Sequence, residues 1–364
     1  MKTSLGLGLV LFAAAVVGTS ACSSDSEDAS GYGDGDGSYD EDGSDGSYEG
    51  DSSAAAGGDP SDGSGSGSGS GIEAGTLTAG AWDDNRNFDF FLEYLTESGQ
   101  LPGAPELSSD ERASANALWI VQPPAKTSLD IALVIDATGS MGDEIEYLKV
   151  EFDALVASIG TMFPQVPQRW ATVAYRDVGD AYVTRPVDFT SDTAKVGEDL
   201  AGIFADGGGD TPEAVAAALA DTVQLGWQSS AKLVFWIADA PHHVGEEQSV
   251  AASLRKAREL GIHVYPIASS GVDSLAELTM RSAAQLTGGR YLFLTDDSGV
   301  GNEHAEPHIP CYFVTRLDKA VLRMVNIELS GKYIEPAPGD VIRTGGDPQD
   351  GRCLLPDGDE VVIF

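Results

Sequence analysis

Basic residues and cysteines are scarce in this sequence. Its 364 residues include 21 Lys and Arg against 58 Asp and Glu, so the formal net charge is −37. Binding to phosphate backbones or to an anionic bilayer by charge needs a basic face, so this balance excludes nucleic acid and such membrane docking. Hydrophobic residues make up 42% of the chain, which is enough for a core.

The motifs of several enzyme classes are also missing. There is no G-x-S-x-G nucleophile elbow and no G-x-x-x-x-G-K-[ST] phosphate loop. An aspartyl-phosphate hydrolase would need a second Asp two residues after Asp136, where Thr138 stands. We therefore predict that the protein is not an enzyme. A metal-dependent hydrolase remains the less favoured alternative.

The N-terminus carries the only extended apolar run, over Leu5–Val17, followed by small residues and Cys22. This layout is typical of a secretory signal and resembles bacterial lipoprotein signals. The resemblance implies a signal peptide over 1–21, a lipid anchor at Cys22 and a place in the bacterial cell envelope, facing the periplasm or the surface. Ser23 favours the outer membrane, as in enteric lipoproteins. An ordinary secretion signal that contains a cysteine is the alternative.

Composition divides the rest of the chain. Residues 22–71 are rich in Gly, Ser and Asp, with 13 carboxylates and no basic residue. They predict a disordered tether with a root-mean-square span of about 40 Å. We expect a short helical segment and linker over 72–127, one domain over 128–330 and a small irregular or β extension over 331–364.

Strands and helices alternate through the central part of the chain. The near-continuous apolar run Ile131–Ile135 is typical of a strand buried on both faces. Such alternation predicts an α/β fold, a doubly wound (Rossmann-like), mostly parallel sheet flanked by helices. The other predicted strands are Trp170–Tyr175, Tyr182–Phe189, Lys232–Ile237, Ile262–Ile267 and Arg290–Leu294, and the predicted helices are Asp143–Ile159, Ser191–Phe204, Pro212–Gln224, Glu246–Leu260, Ser274–Leu286 and Cys311–Leu329.

Oxygen-bearing side chains follow the predicted strands at one edge of the sheet, where ligands bind in this fold class. A D-x-T-x-S segment follows the first strand, Asp239 follows another, and a Gly-rich loop between them offers Asp210 and Thr211. Carboxylates and hydroxyls without thiol or imidazole suit Mg²⁺, Ca²⁺ or Mn²⁺. The sequence therefore predicts a divalent cation site.

The strand with its D-x-T-x-S segment resembles the metal-ion-dependent adhesion site of von Willebrand factor type A (VWA) domains, over Ser128–Leu329. The resemblance implies that Asp210 or Thr211 is the remaining ligand. It also implies a protein or polysaccharide partner that offers a carboxylate. A metal-stabilised structural envelope protein is the alternative. The other ligands that the resemblance implies are Asp136, Thr138, Ser140 and Asp239.

Other residues near these loops have more than one interpretation. Arg176 and Asp177 are candidates for the rim of the site or for a surface ion pair. His242 is interpreted as a rim or packing residue, with a metal ligand as the alternative. Once Cys22 carries lipid, Cys311 and Cys353 remain. In an oxidising compartment they suggest one disulfide, with two separate buried thiols as the alternative.

Overall fold

The structure is a computed structural model. It describes residues 72–82, 86–99, 103–120, 124–209, 211–301, 303–305, 307–349 and 352–362. The predicted signal peptide, the Cys22 lipidation site and the tether lie outside the described residues, and so does Asp210. No helix in the described ranges combines the length and apolar character that crossing a bilayer requires.

Nine strands form the main sheet of the described chain. The strands are β1 (Thr78–Ala81), β2 (Leu129–Asp136), β3 (Gln168–Tyr175), β4 (Thr184–Thr190), β5 (Ala231–Ala238), β6 (His263–Ala268), β7 (Leu292–Leu294), β8 (Tyr312–Arg316) and β9 (Val341–Gly345). Their order across the sheet is β4-β3-β2-β5-β6-β7-β1-β8-β9.

The five central strands of this sheet, β3-β2-β5-β6-β7, are parallel. The remaining pairs toward both edges are antiparallel. Strand β2 lies between β3 and β5, so the chain changes its winding direction there, and ligands of doubly wound sheets bind at such a switch point. The predicted α/β doubly wound fold, mostly parallel and flanked by helices, is confirmed.

Helices cover both faces of the main sheet. The helices are α1 (Arg86–Glu97), α2 (Ser109–Ile120), α3 (Gly142–Met162), α4 (Thr193–Ala201), α5 (Val215–Gln224), α6 (Glu247–Glu259), α7 (Ser274–Thr287) and α8 (Leu317–Ser330). Helices α3, α4 and α8 contribute to one apolar core, and α5, α6 and α7 to the other. Helices α1 and α2 pack against α7.

The continuous apolar runs are explained by this two-sided burial. In β2, Ile131 and Ile135 enter one core, while Ala132 and Val134 enter the other. Strand β5 alternates in the same way. Because successive side chains of a strand point to opposite faces, a strand with helices on both faces needs apolar residues at every position.

Two elements differ from the sequence predictions. The helix predicted over Cys311–Leu329 is wrong in its first part, because Tyr312–Arg316 is a strand and the helix begins at Leu317. The aromatic and β-branched residues of Tyr312–Arg316 suit a strand, but neither Gly nor Pro separates them from the helix.

The segment predicted to be helical over 72–127 also contains strand β1. Its sequence, Thr-Ala-Gly-Ala, has little β propensity, and tertiary pairing with β7 and β8 fixes it instead. A Cβ on Gly80 would lie 2.1 Å from the Phe293 ring. Glycine is therefore required where that ring crosses the strand.

The C-terminal extension contains short β-strands, which was one of the two forms expected for it. Strand β9 joins the main sheet beside β8, and β10 (Pro348–Gln349), β11 (Arg352–Leu354) and β12 (Glu360–Val362) form a small antiparallel sheet. A disulfide joins Cys311 to Cys353, with the two Cα atoms 5.8 Å apart. Both cysteines are fully buried, so the small sheet is tied covalently to the start of β8.

Candidate metal centre

The first loop of the candidate site follows β2 directly. Asp136 is the last residue of β2, and its side chain is fully buried. Its Oδ1 accepts hydrogen bonds from the backbone N–H of Thr138 (3.0 Å) and from the Thr138 hydroxyl (2.7 Å). This turn folds the D-x-T-x-S segment back on itself, and Gly139–Met141 form a 3₁₀ turn into α3. The Asp136 Oδ2 atom is buried without a hydrogen-bond partner.

Asp239 lies at the same edge of the sheet. It comes directly after β5, which pairs in parallel with β2 so that Ile237 stands beside Ile135. Its side chain is 7% exposed, and the Ser140 hydroxyl offsets part of the rise in its pKa that burial causes. The Asp239 Oδ1 atom has no hydrogen-bond partner. Parallel pairing thus brings together two aspartates that are distant in sequence.

The Gly-rich loop, which contains Gly207–Gly209, passes close to the first loop, which follows β2. The Gly139 N–H donates to the Gly207 carbonyl (3.3 Å). Gly208 has a φ of +68°, which side chains rarely adopt. A Cβ on Gly208 would lie 3.0 Å from the Thr138 Cβ. Glycine is therefore needed for the two loops to approach this closely.

Glu213 is a site residue that the sequence analysis did not single out. It follows the Gly-rich loop, is 2% exposed, and has an Oε2 atom without a hydrogen-bond partner. A backbone hydrogen bond from its N–H to the Pro241 carbonyl (2.9 Å) holds it beside the end of β5. A carboxylate at the end of a loop that already offered oxygen ligands was the available signal.

Burial and mutual repulsion raise the pKa values of these carboxyl groups. Burial, together with repulsion from Asp239, raises the pKa of Asp136 to about 7. Burial, followed by repulsion from Asp136, raises the pKa of Glu213 to about 9. Burial also raises the pKa of Asp239. Since the charged forms are disfavoured, a cation bound among them would favour ionisation.

An open cleft of about 420 Å³ lies over these groups. Both loops and the end of β5 contribute to its walls, so a ligand in the cleft would contact all three segments. Its lining includes Thr138, Ser140, Gly208, Thr211, Glu213, Asp239 and Ser270. The structure thus brings Thr138, Ser140, Thr211 and Asp239 together at one cleft.

Two buried aromatic residues, Tyr175 and Trp236, lie on the strands that flank the Asp136 strand. The Trp236 indole N–H donates to the Tyr175 hydroxyl (3.1 Å), and the Tyr175 hydroxyl offsets a small part of the rise in the pKa of Asp136. Both aromatic side chains are almost fully buried. They come from β3 and β5, the strands on either side of β2, and no local sequence pattern indicates this arrangement.

Arg176 joins the loops of the site. Its side chain is 6% exposed. The guanidinium group donates to the carbonyls of Ala137 (3.1 Å) and Phe204 (2.8 Å), and to Asp206 Oδ2 (3.2 Å). Arg176 therefore fixes the start of the Gly-rich loop against the first loop, and its N–H groups are directed at these partners.

Asp177 and His242 also make contacts within the fold. Asp177 Oδ1 lies 2.5 Å from His243 Nε2. His242 is 1% exposed, and its Nδ1 lies 3.3 Å from the Thr279 hydroxyl on α7. His242 thus occupies a packing position against α7.

The donor set of the cleft fits a hard cation. Asp136 and Asp239 each present a buried oxygen without a partner, and Thr138 and Ser140 add hydroxyl oxygens. Oxygen ligands of this kind suit Mg²⁺, Ca²⁺ or Mn²⁺. Within the described ranges, no group of three or more His, Cys, Asp and Glu side chains is arranged to hold a metal. Hydroxyls and water would therefore have to complete the coordination of an ion here.

Residues 130–296 match the family model described as von Willebrand factor A domain. The match begins in β2 and ends just after β7, so it includes both aspartates of the cleft. This segment of the chain is therefore similar to a von Willebrand factor A domain, which supports the resemblance inferred from the sequence.

One curated protein shares part of this sequence. The chain is 34% identical over 115 residues to an ariadne-like RING finger protein of Acanthamoeba polyphaga mimivirus. The match covers 32% of this chain and 11% of the viral protein. The chain thus spans about a tenth of the length of that relative, and the match does not extend to the rest of the viral protein.

Several solved structures are similar in part. BatB from Bacteroides thetaiotaomicron is 17% identical, with 46% of this chain and 89% of that chain covered and a TM-score of 0.34. The vWF domain of a type V pili tip protein from Porphyromonas gingivalis is 13% identical (58% and 99% covered, TM-score 0.37). The pilus adhesin SpaC from Lactobacillus rhamnosus GG is also 13% identical (44% and 27% covered, TM-score 0.35). At these values the similarities assign no function.

Proposed function

We propose that the chain is a binding module, anchored to the bacterial cell envelope, that uses a divalent cation to hold a protein or polysaccharide partner. One observation carries this proposal. Asp136 Oδ2 and Asp239 Oδ1 are buried at one edge of the sheet without hydrogen-bond partners. An unpaired buried carboxylate is costly, and a bound dication would compensate both at once.

Each side chain of the centre has a separate task in this proposal. Asp136 and Asp239 supply negative charge, and Thr138 and Ser140 supply hydroxyl oxygens. Thr211 lines the cleft close to them, and either Thr211 or Asp210 would be the remaining ligand. When bound, the cation would offer an open coordination position to an oxygen of the partner, such as a carboxylate.

The envelope location is supported by the sequence alone. Cys22 follows a secretion-type signal and would carry the lipid, and the acidic segment after it would keep the domain away from the bilayer. Outer-membrane placement is proposed from Ser23. The cleft is proposed to bind and not to catalyse, because the sequence contains neither the G-x-S-x-G nucleophile motif nor the G-x-x-x-x-G-K-[ST] phosphate loop.

Metal-dependent capture tests the proposal. The purified chain, immobilised in the presence of Mg²⁺ or Ca²⁺, should retain a partner from a cell-envelope extract and release it in EDTA. Asp136→Ala should abolish capture. Asp153→Ala, which changes an exposed carboxylate on α3, should not.

Other outcomes would contradict the proposal. Capture that resists both EDTA and Asp136→Ala would show that binding does not use the cation. Metal-dependent melting without any captured partner would favour a structural envelope protein. Turnover of phosphate or ester substrates that Asp136→Ala removes would favour a hydrolase.

A further inference from the structure

Glu213 is a buried carboxylate in the cleft, and it is not one of the ligands that the VWA resemblance implies. Its side chain is 2% exposed, and its Oε2 atom lacks a hydrogen-bond partner. Buried polar atoms are almost always satisfied in folded proteins. A carboxylate oxygen left bare beside a cleft with two further unpaired carboxylate oxygens indicates that a ligand belongs there.

The backbone fixes where this carboxylate points. The Glu213 N–H donates to the Pro241 carbonyl (2.9 Å), and residue 213 forms a parallel β-bridge with His242. On the other side of the cleft, a Cβ on Gly208 would lie 2.9 Å from Glu213 Oε1 and 3.0 Å from the Thr138 Cβ. The carboxylate therefore reaches back over the Gly-rich loop toward Thr138, whose hydroxyl contacts Asp136.

The surroundings of Glu213 are acidic. The charged groups that act on it most strongly are Asp136, Asp177, Asp180 and Asp239. The nearby cation Arg176 donates to the carbonyls of Ala137 and Phe204 and to Asp206. None of these groups compensates the charge of Glu213, whereas a dication between Asp136 and Asp239 would.

We propose that Glu213 is the third carboxylate of the metal centre and holds the divalent cation through a water molecule that donates a hydrogen bond to its Oε2 atom. This inference rests on the cation site proposed above. Contact through water agrees with the absence of any three-carboxylate cluster at direct metal-binding spacing among the described residues. It also agrees with the tendency of Mg²⁺ to keep several of its waters.

Three carboxylates around one dication give the centre a net negative charge. Glu213 therefore supplies electrostatic attraction that the ion would otherwise take from an incoming carboxylate. The ion is held firmly in the absence of a partner, and a partner carboxylate gains less from reaching it. Glu213 acts on the cation through water, so it is a positioning residue whose removal weakens metal binding and leaves the fold intact.

Calorimetric titration of the full chain with MgCl₂ and with CaCl₂ tests this inference. Groups that orient metal ligands or metal-bound water typically change metal affinity by about 10–100-fold. We expect Glu213→Gln to raise the dissociation constant by that factor, and Glu213→Asp, which keeps the charge, to retain more affinity. The control Glu198→Gln changes an exposed carboxylate on α4 and should leave the affinity unchanged.

Thermal melting in EDTA and in MgCl₂ separates metal binding from folding. Glu213→Gln should melt no lower than the wild type in EDTA but should gain less from the metal. A protonated Glu213 with a purely structural role would be mimicked by Gln, so equal metal affinity of Glu213→Gln and wild type overturns the inference. A wild-type chain that binds neither ion refutes the proposed function itself, which is a different result.

Discussion

Asp130 and Asp136 lie on the same strand, both fully buried, but their hydrogen-bonding environments are opposite. The Asp130 carboxylate accepts from Arg169 Nε (2.9 Å) and Nη2 (2.6 Å), from two backbone N–H groups and from the Ser229 hydroxyl (2.6 Å). Asp136 leaves one oxygen without a partner. The carboxylate at one end of β2 therefore has all its hydrogen-bond partners, whereas the carboxylate at the other end keeps one oxygen unpaired.

We expect the hydrogen-bonded Asp130 carboxylate to make a pH-dependent contribution to the free energy of unfolding. Burial alone would raise the pKa of Asp130, but hydrogen bonds from Arg169, Gln228 and Ser229 outweigh it and hold the pKa below its ordinary value of 3.8. A lowered folded-state pKa contributes stability above the unfolded pKa, and that contribution is lost as the pH falls through the folded pKa. We expect Asp130→Asn to lower the free energy of unfolding by about 2–4 kcal/mol near pH 7.

The difference between wild type and Asp130→Asn should shrink as the pH falls below 3.8. Urea denaturation of both proteins, near neutral pH and at several lower pH values, measures it. A difference that stays constant or grows on acidification would contradict the prediction, because it would show that the charge of Asp130 does not stabilise the folded protein.

Asp136→Asn should have the opposite effect in the absence of metal. The variant removes a buried charge whose pKa burial and repulsion from Asp239 raise to about 7. We expect the free energy of unfolding in EDTA at about pH 8 to rise by about 1–4 kcal/mol. Any stabilisation by added Mg²⁺ should be lost. Asp153→Asn is the exposed control, and an Asp136→Asn variant less stable than wild type in EDTA would refute this reasoning.

Much of the fold could be predicted because its signals are local. The apolar runs of β2 and β5 arise from burial on both faces, and a run of this kind is visible in the sequence alone. Strand β1 could not be predicted in this way. Its Thr-Ala-Gly-Ala sequence becomes a strand only because β7 and β8 leave a gap between them for pairing.

The residues of the candidate site could likewise be predicted only in part. The D-x-T-x-S segment and Asp239 were predicted to lie together because each directly follows a strand of one parallel sheet. Glu213 is held at the cleft by a hydrogen bond to the Pro241 carbonyl, and buried Tyr175 is held by one from the Trp236 indole. The sequence does not show either contact. Side-chain support of a site depends on tertiary packing, so a motif search identifies candidate ligands more readily than their supports.

The disulfide should contribute strongly to stability. It joins cysteines separated by 42 positions, and closing a loop of that length in the unfolded chain is worth about 4 kcal/mol on the chain-entropy model. We expect the double variant Cys311→Ser with Cys353→Ser to be less stable by about that amount. A reducing agent should lower the melting temperature of the wild type but not of the variant. A wild-type melting temperature that is insensitive to complete reduction would contradict the prediction.

Arg176→Lys should weaken metal binding without direct contact to the ion. The planar guanidinium of Arg176 reaches the carbonyls of Ala137 and Phe204 at once, and a lysine ammonium cannot reproduce this fork. The Gly-rich loop would then be held less firmly over the cleft. We expect the dissociation constant for Mg²⁺ to rise about tenfold and the free energy of unfolding to fall by about 1–3 kcal/mol.

Arg185→Lys is the matched control for this variant. Arg176 and Arg185 both place their guanidinium groups over the Tyr182 ring, at 4.8 and 5.2 Å from its centroid. Arg185 is exposed on β4, whereas Arg176 joins the two loops, so only Arg176→Lys should change metal affinity in calorimetry. If both variants lowered the affinity equally, the effect would come from the contact with the Tyr182 ring that both arginines share, and the role of Arg176 as a link between the loops would be refuted.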